Sequence, residues 1–221
     1  MSFEVDIRKT VSSPGRRFEL QVRFTAQARR TVIYGPSGAG KTLTLQAIAG
    51  LLRPDAGRIA FNGEMLFDSG AHVALPARQR RFGYLFQDYA LFPQLNVRQN
   101  VAFGLHGGWL NPPRDAGGDA VERWLAALEL LPVAAQRPHQ LSGGQRQRTA
   151  LARALVAAPR ALLLDEPFSA LDPGLRDRTR DELDCLLAQV DIPLLMITHD
   201  PDDLQRFGEQ VLQLRDGAVG G

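Results

Sequence analysis

Alternating apolar and polar residues predict two strands near the N-terminus. Residues 3–7 and 18–24 place an apolar side chain at every second position, which is typical of strands with one buried face. Residues 31–34 form a short β-branched run, and a glycine-rich turn follows it directly. A helix is predicted behind this turn from apolar residues at helical spacing, which are Leu43, Ala47, Ile48 and Leu51. This region should therefore run from strand through loop into helix.

The middle of the chain changes from strand-like to helical texture. Residues 58–61, closed by an Asn62-Gly63 turn, and residues 82–86 are predicted strands. From about 88 to 158 the apolar spacing becomes helical, as in Val121, Trp124, Leu125, Leu128 and Leu131. A further helix is expected from Gln145 to about Ala157. We interpret residues 88–158 as a helical insertion.

Strand character returns in two continuous apolar runs, at residues 161–164 and 193–197. A helix with apolar or small side chains on one face lies between them, carried by Thr179, Leu183, Leu186, Leu187 and Val190. Such runs, alternating with helices, favour central parallel strands that are covered on both faces. The expected fold class is therefore α/β.

Composition narrows the possible classes of protein. The 221 residues, 44% hydrophobic and 23% charged, suit one globular domain with an insertion. The basic residues, 24 Arg with only Lys9 and Lys41, nearly cancel 24 acids, so nucleic-acid binding is not indicated. No apolar run approaches the ~20 residues of a membrane span and no signal peptide is evident, so we expect a soluble, cytosolic chain. The single cysteine, Cys185, excludes an intramolecular disulfide and is expected to be buried in a helix.

The glycine-rich turn at residues 35–42 fits the pattern of a P-loop, which binds nucleotide phosphates. Its residues are Gly35, Pro36, Ser37, Gly38, Ala39, Gly40, Lys41 and Thr42. Glycines allow backbone N–H groups to converge on phosphates, and the following helix adds its positive N-terminal end. Lys41 would neutralise the β- and γ-phosphates, and the Thr42 hydroxyl would bind Mg²⁺. The alternative is an ordinary turn before a helix.

Two carboxylates, Asp165 and Glu166, end the apolar run at 161–164. At the carboxyl end of a parallel strand, Asp165 would hold Mg²⁺ directly or through water. Glu166 would reach the water that attacks the γ-phosphate. A simple strand-to-turn carboxylate pair is the alternative interpretation.

A second anion-binding segment follows Leu141, made by Ser142, Gly143, Gly144 and Gln145 at the start of a helix. With the P-loop, Asp165-Glu166, Gln87, the turn at 169–172 and His199, it closely resembles the nucleotide-binding subunits of ATP-binding cassette (ABC) transporters over the whole chain. The resemblance implies a P-loop NTPase fold with an N-terminal antiparallel β-subdomain. It divides the chain into a core of about 1–87 and 159–221 and a helical subdomain of about 88–158.

The resemblance also implies roles for single residues. Two copies would close head to tail over two ATP, with Lys41 and Thr42 from one copy and Ser142, Gly143, Gly144 and Gln145 from the other. Glu166 would polarise the attacking water, and His199 would contact the γ-phosphate. Gln87 would sense the site and help to bind Mg²⁺, and Asp172 would signal across the dimer.

One position departs from the family pattern. Such subunits usually stack an aromatic residue on adenine, yet residues 10–17 contain no aromatic side chain. Phe18 is the candidate, and a simple core role is the alternative.

The segment from Gln87 to Pro93 carries Tyr, Leu and Phe in a loop-like composition, which suggests a groove for a partner helix. Local packing is the alternative. The resemblance to prokaryotic importers implies that transmembrane permease subunits dock here, that a periplasmic or extracellular solute-binding protein acts indirectly, and that the chain lies at the cytoplasmic membrane face. Residues 66–87 look most like the molybdate-import ATPases, with sulfate and polyamine relatives close. No C-terminal regulatory domain is expected.

Several residues receive a structural interpretation. Arg78, Arg80 and Arg81 are expected at a solvated helix end, and a role near phosphate is the alternative. His72, His106 and His139 lack metal-ligand spacing and are expected on the surface or in loops. Lys9 has no assigned role. A soluble ABC protein that remodels ribosomes or DNA, and a regulatory module that has lost hydrolysis, are the competing functional classes.

Overall fold

The computed structural model describes residues 2–105, 110–169, 171, 173–189 and 192–220. Its strands are β1 Phe3–Ser13, β2 Arg16–Ala26, β3 Arg30–Tyr34, β4 Ala56–Phe61, β5 Glu64–Asp68, β6 Val73–Ala74, β7 Gly83–Leu85, β8 Leu162–Asp165, β9 Leu194–Thr198, β10 Gln210–Arg215 and β11 Ala218–Val219. Its helices are α1 Lys41–Ala49, α2 Ala77–Arg80, α3 Val97–Ala102, α4 Asp119–Ala127, α5 Gly143–Leu155, α6 Pro173–Gln189 and α7 Pro201–Phe207. No helix in these ranges is both long and apolar enough to cross a membrane.

The chain divides into two compact units. The first contains the residues up to Phe82, Leu163–Glu166 and the residues from Ile192 onward, and the second contains Gly83–Leu162 and Pro167–Asp191. The fold class is confirmed as α/β. The division at about residues 88 and 158 stays a prediction.

The first unit contains an antiparallel sheet in the order β2-β1-β4-β5-β6. β1 and β2 pair along their whole length, from Phe3 opposite Ala26 to Ser13 opposite Arg16. Their alternating pattern buries Phe3, Val5 and Ile7 and leaves the intervening side chains on the other face. Both predicted N-terminal strands are present and are longer than predicted, since pairing continues beyond the apolar positions.

A second sheet in this unit runs in the order β11-β10-β3-β9-β8. β3 pairs in parallel with β10 and with β9, so that Val32 lies opposite Val211 and Met196. Every residue of β8 and β9 is buried, as their continuous apolar runs predicted. The carboxyl ends of these strands therefore deliver their next residues to one edge of the sheet.

The helices α1 and α4 end earlier than the spacing of their apolar residues predicted. α1 ends at Ala49 because Gly50 adopts a left-handed φ of 79°, so Leu51 lies outside the helix and is 49% exposed. α4 ends at Ala127, and Leu131 lies in a short 3₁₀ turn, where it is 48% exposed. Both terminal leucines were wrongly included in a buried helical face.

Other predictions about helices and single residues need a smaller correction. α5 begins two residues earlier than predicted, at Gly143, and ends at Leu155. Cys185, expected to be buried, is exposed on α6. Lys9, which had no assigned role, forms an ion pair of 2.6 Å with Asp55.

The prediction that Arg80 lies at a solvated helix end is wrong, because the residue is only 2% exposed. Its Nη1 donates to the carbonyl oxygens of Ala47 and Ile48, both at 2.7 Å, and its Nε donates to Leu75 O at 2.8 Å. Carbonyls in the last turn of a helix lack partners within the helix, and the guanidinium donates to two of those in α1. Burial lowers the pKa of Arg80 to about 10, so the side chain stays charged at neutral pH.

Replacing Arg80 with Met should therefore destabilise the fold. The carbonyls of Ala47, Ile48 and Leu75 would lose the guanidinium donors, and the free energy of unfolding should fall by about 2–4 kcal/mol. Arg78→Met is the control, because Arg78 is exposed on the same short helix, and should change it by at most about 0.5 kcal/mol. Equal denaturation midpoints for the two variants would contradict the capping role.

Candidate nucleotide site

The glycine-rich loop at residues 35–42 lies between β3 and α1, as predicted. Gly38 and Gly40 have φ values of 82° and 100°, in the left-handed region that other residues rarely adopt. Ala39 N–H donates to Pro36 O at 3.2 Å, which closes the loop on itself. The loop thus leads directly into the N-terminus of α1.

Lys41 is the first residue of α1, and its ammonium group is held inside the loop. It donates to Gly35 O at 2.8 Å and to Pro36 O at 3.0 Å, and the side chain is only 4% exposed. Nζ also lies 3.4 Å from Glu166 Oε1. A buried cation is costly unless it is paired, and these oxygens supply the pairing.

The Thr42 hydroxyl and the Asp165 carboxylate form an oxygen pair next to this lysine. Thr42 Oγ1 donates to Asp165 Oδ1 at 3.1 Å, and Asp165 is 3% exposed. A hydroxyl and a carboxylate are ligands that suit Mg²⁺, which usually keeps several waters and binds substrate phosphates as well. This donor pair fits the magnesium role expected for Thr42 and Asp165.

Glu166 follows β8 with a left-handed φ of 46°. Successive side chains of an extended strand point to opposite faces, and this residue departs from the extended conformation directly after Asp165. Its N–H donates to Ile197 O at 3.0 Å, which joins the turn to β9. Glu166 Oε1 faces Lys41 while Asp165 contacts Thr42, so both neighbouring carboxylates serve the same loop.

His199 follows β9 and contacts the same glutamate. Its Nδ1 lies 3.1 Å from Glu166 Oε2, and its side chain is 50% exposed. Thr198, the last residue of β9, donates through Oγ1 to Asp203 Oδ2 at 2.7 Å and accepts from Asp200 N at 3.0 Å. These bonds fix the backbone on both sides of His199. Neither Thr198 nor Asp203 was predicted as part of the site, although Asp200-Pro201 is a recognisable helix start.

Phe18, on β2, lies against the loop. A Cβ placed on Gly40 would be 3.1 Å from Phe18 Cζ, so the ring covers this glycine. Phe18 is half-buried. Its position beside the loop agrees with either a core role or contact with a base.

The second unit contains the predicted second anion-binding segment, residues 142–145. Ser142 is exposed and caps α5: its Oγ accepts from Gln145 N at 3.2 Å, and Gln145 Oε1 accepts from Ser142 N at 3.0 Å. Gly143 and Gly144 form the first turn, where a Cβ on Gly143 would lie 3.2 Å from Leu171 Cδ2.

The segment from Gln87 to Pro93 follows β7 in the second unit. Gln87 is exposed, but Tyr89 is 4% exposed, contrary to the expected display of its ring, and burial raises its pKa to about 12. Arg153 donates to the carbonyls of Tyr89 and Ala90, both at 2.7 Å. The Phe92 ring packs on Phe103 at a centroid distance of 4.3 Å. Local packing therefore accounts for Tyr89 and Phe92.

The first unit thus brings together the loop at 35–42 with Asp165, Glu166, His199 and Phe18. The second unit contains Gln87, Ser142, Gly143, Gly144 and Gln145. Asp172, expected to signal across a dimer, lies outside the described residues. A phosphate loop with a buried lysine, followed in space by two strand-end carboxylates, defines a P-loop nucleotide-binding protein.

The chain belongs to the ABC transporter family, whose profile matches residues 20–169. It is 45% identical to the Fe(3+) ions import ATP-binding protein FbpC 2 of Pectobacterium atrosepticum over 96% of this chain and 60% of the relative. It is 48% identical to FbpC of Pseudomonas fluorescens over 86% of this chain and 52% of the relative. It is 38% identical to the molybdenum import ATP-binding protein ModC of Rhizobium johnstonii over 91% of this chain and 56% of the relative. The chain thus spans little more than half the length of these proteins.

Solved structures of an ABC cassette have the same fold. The dimeric post-hydrolysis structure of the ATP-binding cassette MJ0796 with ADP and Pi superposes with a TM-score of 0.78 at 29% identity, and covers 100% of this chain and 97% of that one. A second dimeric MJ0796 structure gives a TM-score of 0.79 at the same identity and coverage.

The Ser142 cap leads to a prediction that concerns α5 alone. Ser142→Ala removes the acceptor for Gln145 N–H and should lower the free energy of unfolding by about 1 kcal/mol. Ser142→Asn should retain stability, because asparagine caps helices as well as serine does. Chemical denaturation of the two variants provides the measurement, and equal loss in both would contradict a capping role.

Proposed function

We propose that this chain is the ATP-hydrolysing subunit of an ABC importer. The observation that carries the proposal is the pairing of Glu166 with both Lys41 and His199, 3.4 Å and 3.1 Å away, beside the Thr42–Asp165 pair. These side chains come from three separate parts of the sequence and meet at one phosphate loop. A nucleotide-binding module that has lost hydrolysis would not require this constellation.

Each side chain has a chemical task in this proposal. Lys41 exchanges its contact with Glu166 for phosphate oxygens when ATP enters, while the N–H groups of residues 37–42 hold the remaining phosphate charge. Glu166, released from the lysine, accepts a proton from the attacking water. His199 donates to the γ-phosphate from the other side of Glu166.

Mg²⁺ would be held by Thr42, Asp165 and Gln87, and would neutralise the charge that develops on the phosphates. The structure supports this assignment for Thr42 and Asp165 through their mutual contact of 3.1 Å. Gln87 is exposed in the second unit. Phe18 would contribute to adenine binding from its position over Gly40.

Hydrolysis would take place in a head-to-tail homodimer. Ser142, Gly143, Gly144 and Gln145 of a second copy would cover the γ-phosphate with the positive end of α5. The exposed position of Ser142 supports this role, and the MJ0796 cassettes are described as dimeric. Asp172 would communicate between the two sites.

Transport requires partners that form the pore. We propose that permease subunits contact the exposed residues of the segment from Gln87 to Pro93, and that a solute-binding protein delivers the solute on the opposite side of the membrane. At the cytoplasmic face, the chain would then act through two subdomains: the core, of about 1–87 and 159–221, and the helical subdomain, of about 88–158. No nucleic-acid partner is proposed.

For the solute, ferric iron and molybdate are the two candidates. Four FbpC relatives at 45–48% identity import Fe(3+) by name, which favours iron. Four ModC relatives at 36–40% identity support molybdate, as does the resemblance of residues 66–87. Sulfate and polyamine are weaker alternatives, and a soluble ABC ATPase without a permease is weaker still.

Glu166→Gln should retain ATP binding but lose at least about 100-fold in hydrolysis, because an amide is not a general base. The variant should accumulate as an ATP-bound dimer on size exclusion. Lys41→Ala provides the contrasting variant: it should lose ATP affinity, since the first unit offers no second buried ammonium at the loop. Unchanged turnover in Glu166→Gln would refute its role, and normal ATP binding by Lys41→Ala would refute the P-loop assignment.

The solute is tested by ATPase activity in proteoliposomes that contain the cognate permease and binding protein. Binding protein loaded with ferric iron should stimulate hydrolysis above the unloaded level, and molybdate should not. Stimulation by molybdate alone would identify molybdate, not ferric iron, as the solute. Failure of any permease to associate would favour a soluble ABC ATPase that acts without a permease.

A further inference from the structure

The turn between β10 and β11 touches the phosphate loop, although no sequence motif marks it. Gly217 N–H donates to Ala39 O at 3.1 Å. Three residues earlier, the carbonyl oxygen of Leu214 lies so close to Gly35 that a Cβ there would approach it to 2.1 Å. The end of β10 and the turn that follows it therefore contact the phosphate loop near both ends of that loop.

The bond to Ala39 fixes the direction of a neighbouring donor. A planar trans peptide points its C=O and its N–H in opposite directions, and none of the described peptides is cis. Holding Ala39 O on the turn thus directs the Gly40 N–H away from the turn. Within the described residues this N–H has no hydrogen-bond partner, so it is available to an anion.

On its other side, the turn is fixed by β2. Gln21 N–H donates to Gly217 O at 2.7 Å. A Cβ on Gly217 would lie 2.1 Å from Glu19 O, and its φ of 80° is left-handed. Only glycine fits this position without moving either β2 or the turn.

We propose that Gly217 is a positioning residue for nucleotide binding. Through its N–H it orients the Ala39–Gly40 peptide so that Gly40 N–H points at the phosphates, and β2 keeps the turn in place. The proposal rests on the proposed ATP binding and adds a residue of the C-terminal hairpin to the site.

The chain contains a matched control. The turn Asn62-Gly63 joins β4 to β5 and has the same form as the turn Asp216-Gly217. Both are two-residue hairpin turns with positive φ at each residue. The φ values are 49° and 80° in the first turn and 47° and 80° in the second. A Cβ on Gly63 would meet nothing within 4 Å. Alanine at either glycine therefore adds similar backbone strain, but only at Gly217 must the backbone move.

The test compares Gly217→Ala with Gly63→Ala. Gly217→Ala should weaken Mg-ADP binding about tenfold, the effect of one misdirected charge-assisted hydrogen bond, and Gly63→Ala less than about twofold. In steady state, Gly217→Ala should raise the KM for ATP and keep kcat within about twofold, because Glu166 and His199 do not depend on the turn. Equal ADP affinity in the two variants, or a loss in kcat alone, would overturn the proposal.

Amide hydrogen exchange on the unmodified chain covers the case in which Gly217→Ala fails to fold. Mg-ADP should slow exchange at Gly217 and leave Gly63 unchanged, because only the first N–H is bonded to the loop. Unchanged exchange at Gly217 with ADP bound would overturn the inference. If the unmodified chain does not bind ADP, the proposed function itself fails.

Discussion

The buried ammonium group of Lys41 is the constraint around which the first unit is organised. A cation that is 4% exposed must be matched by oxygens. The loop supplies two carbonyls, and the residue after β8 supplies the Glu166 carboxylate. The glycine conformations at residues 38 and 40 bring the loop back over the lysine. In this arrangement the site is electrostatically satisfied, so an incoming phosphate must compete with a carboxylate that the chain itself provides.

Much of this fold follows from local patterns. The strands β3, β8 and β9 were predicted because each is a short run of apolar or β-branched residues. β10 and β11 were not predicted, because the β10 pattern is only partly buried and its pairing with β3 joins residues about 180 positions apart. Pairings of that kind depend on the whole sheet, and local periodicity does not encode them.

Single residues show the same limit. Arg80 was expected in solvent because arginine is usually exposed. It is instead buried, and its guanidinium donates to the carbonyls of residues 47, 48 and 75. Cys185 was expected in the core because cysteine usually is, yet it is exposed on α6. In the site, the sequence motifs predicted the candidate residues Lys41, Glu166 and His199. That Glu166 contacts both Lys41 and His199 depends on a left-handed backbone conformation that no motif states.

The scarcity of lysine has a consequence for protein chemistry. Of the two lysine side chains, Lys41 is enclosed by its loop, and Lys9 is 20% exposed and tied to Asp55. Thr10 N–H donates to the same carboxylate, and these bonds lower the pKa of Asp55. Reagents that acylate or cross-link amines therefore find few reactive side chains here. Arginine carries almost all the positive charge of the surface, and it does so without nucleophilic nitrogen at neutral pH.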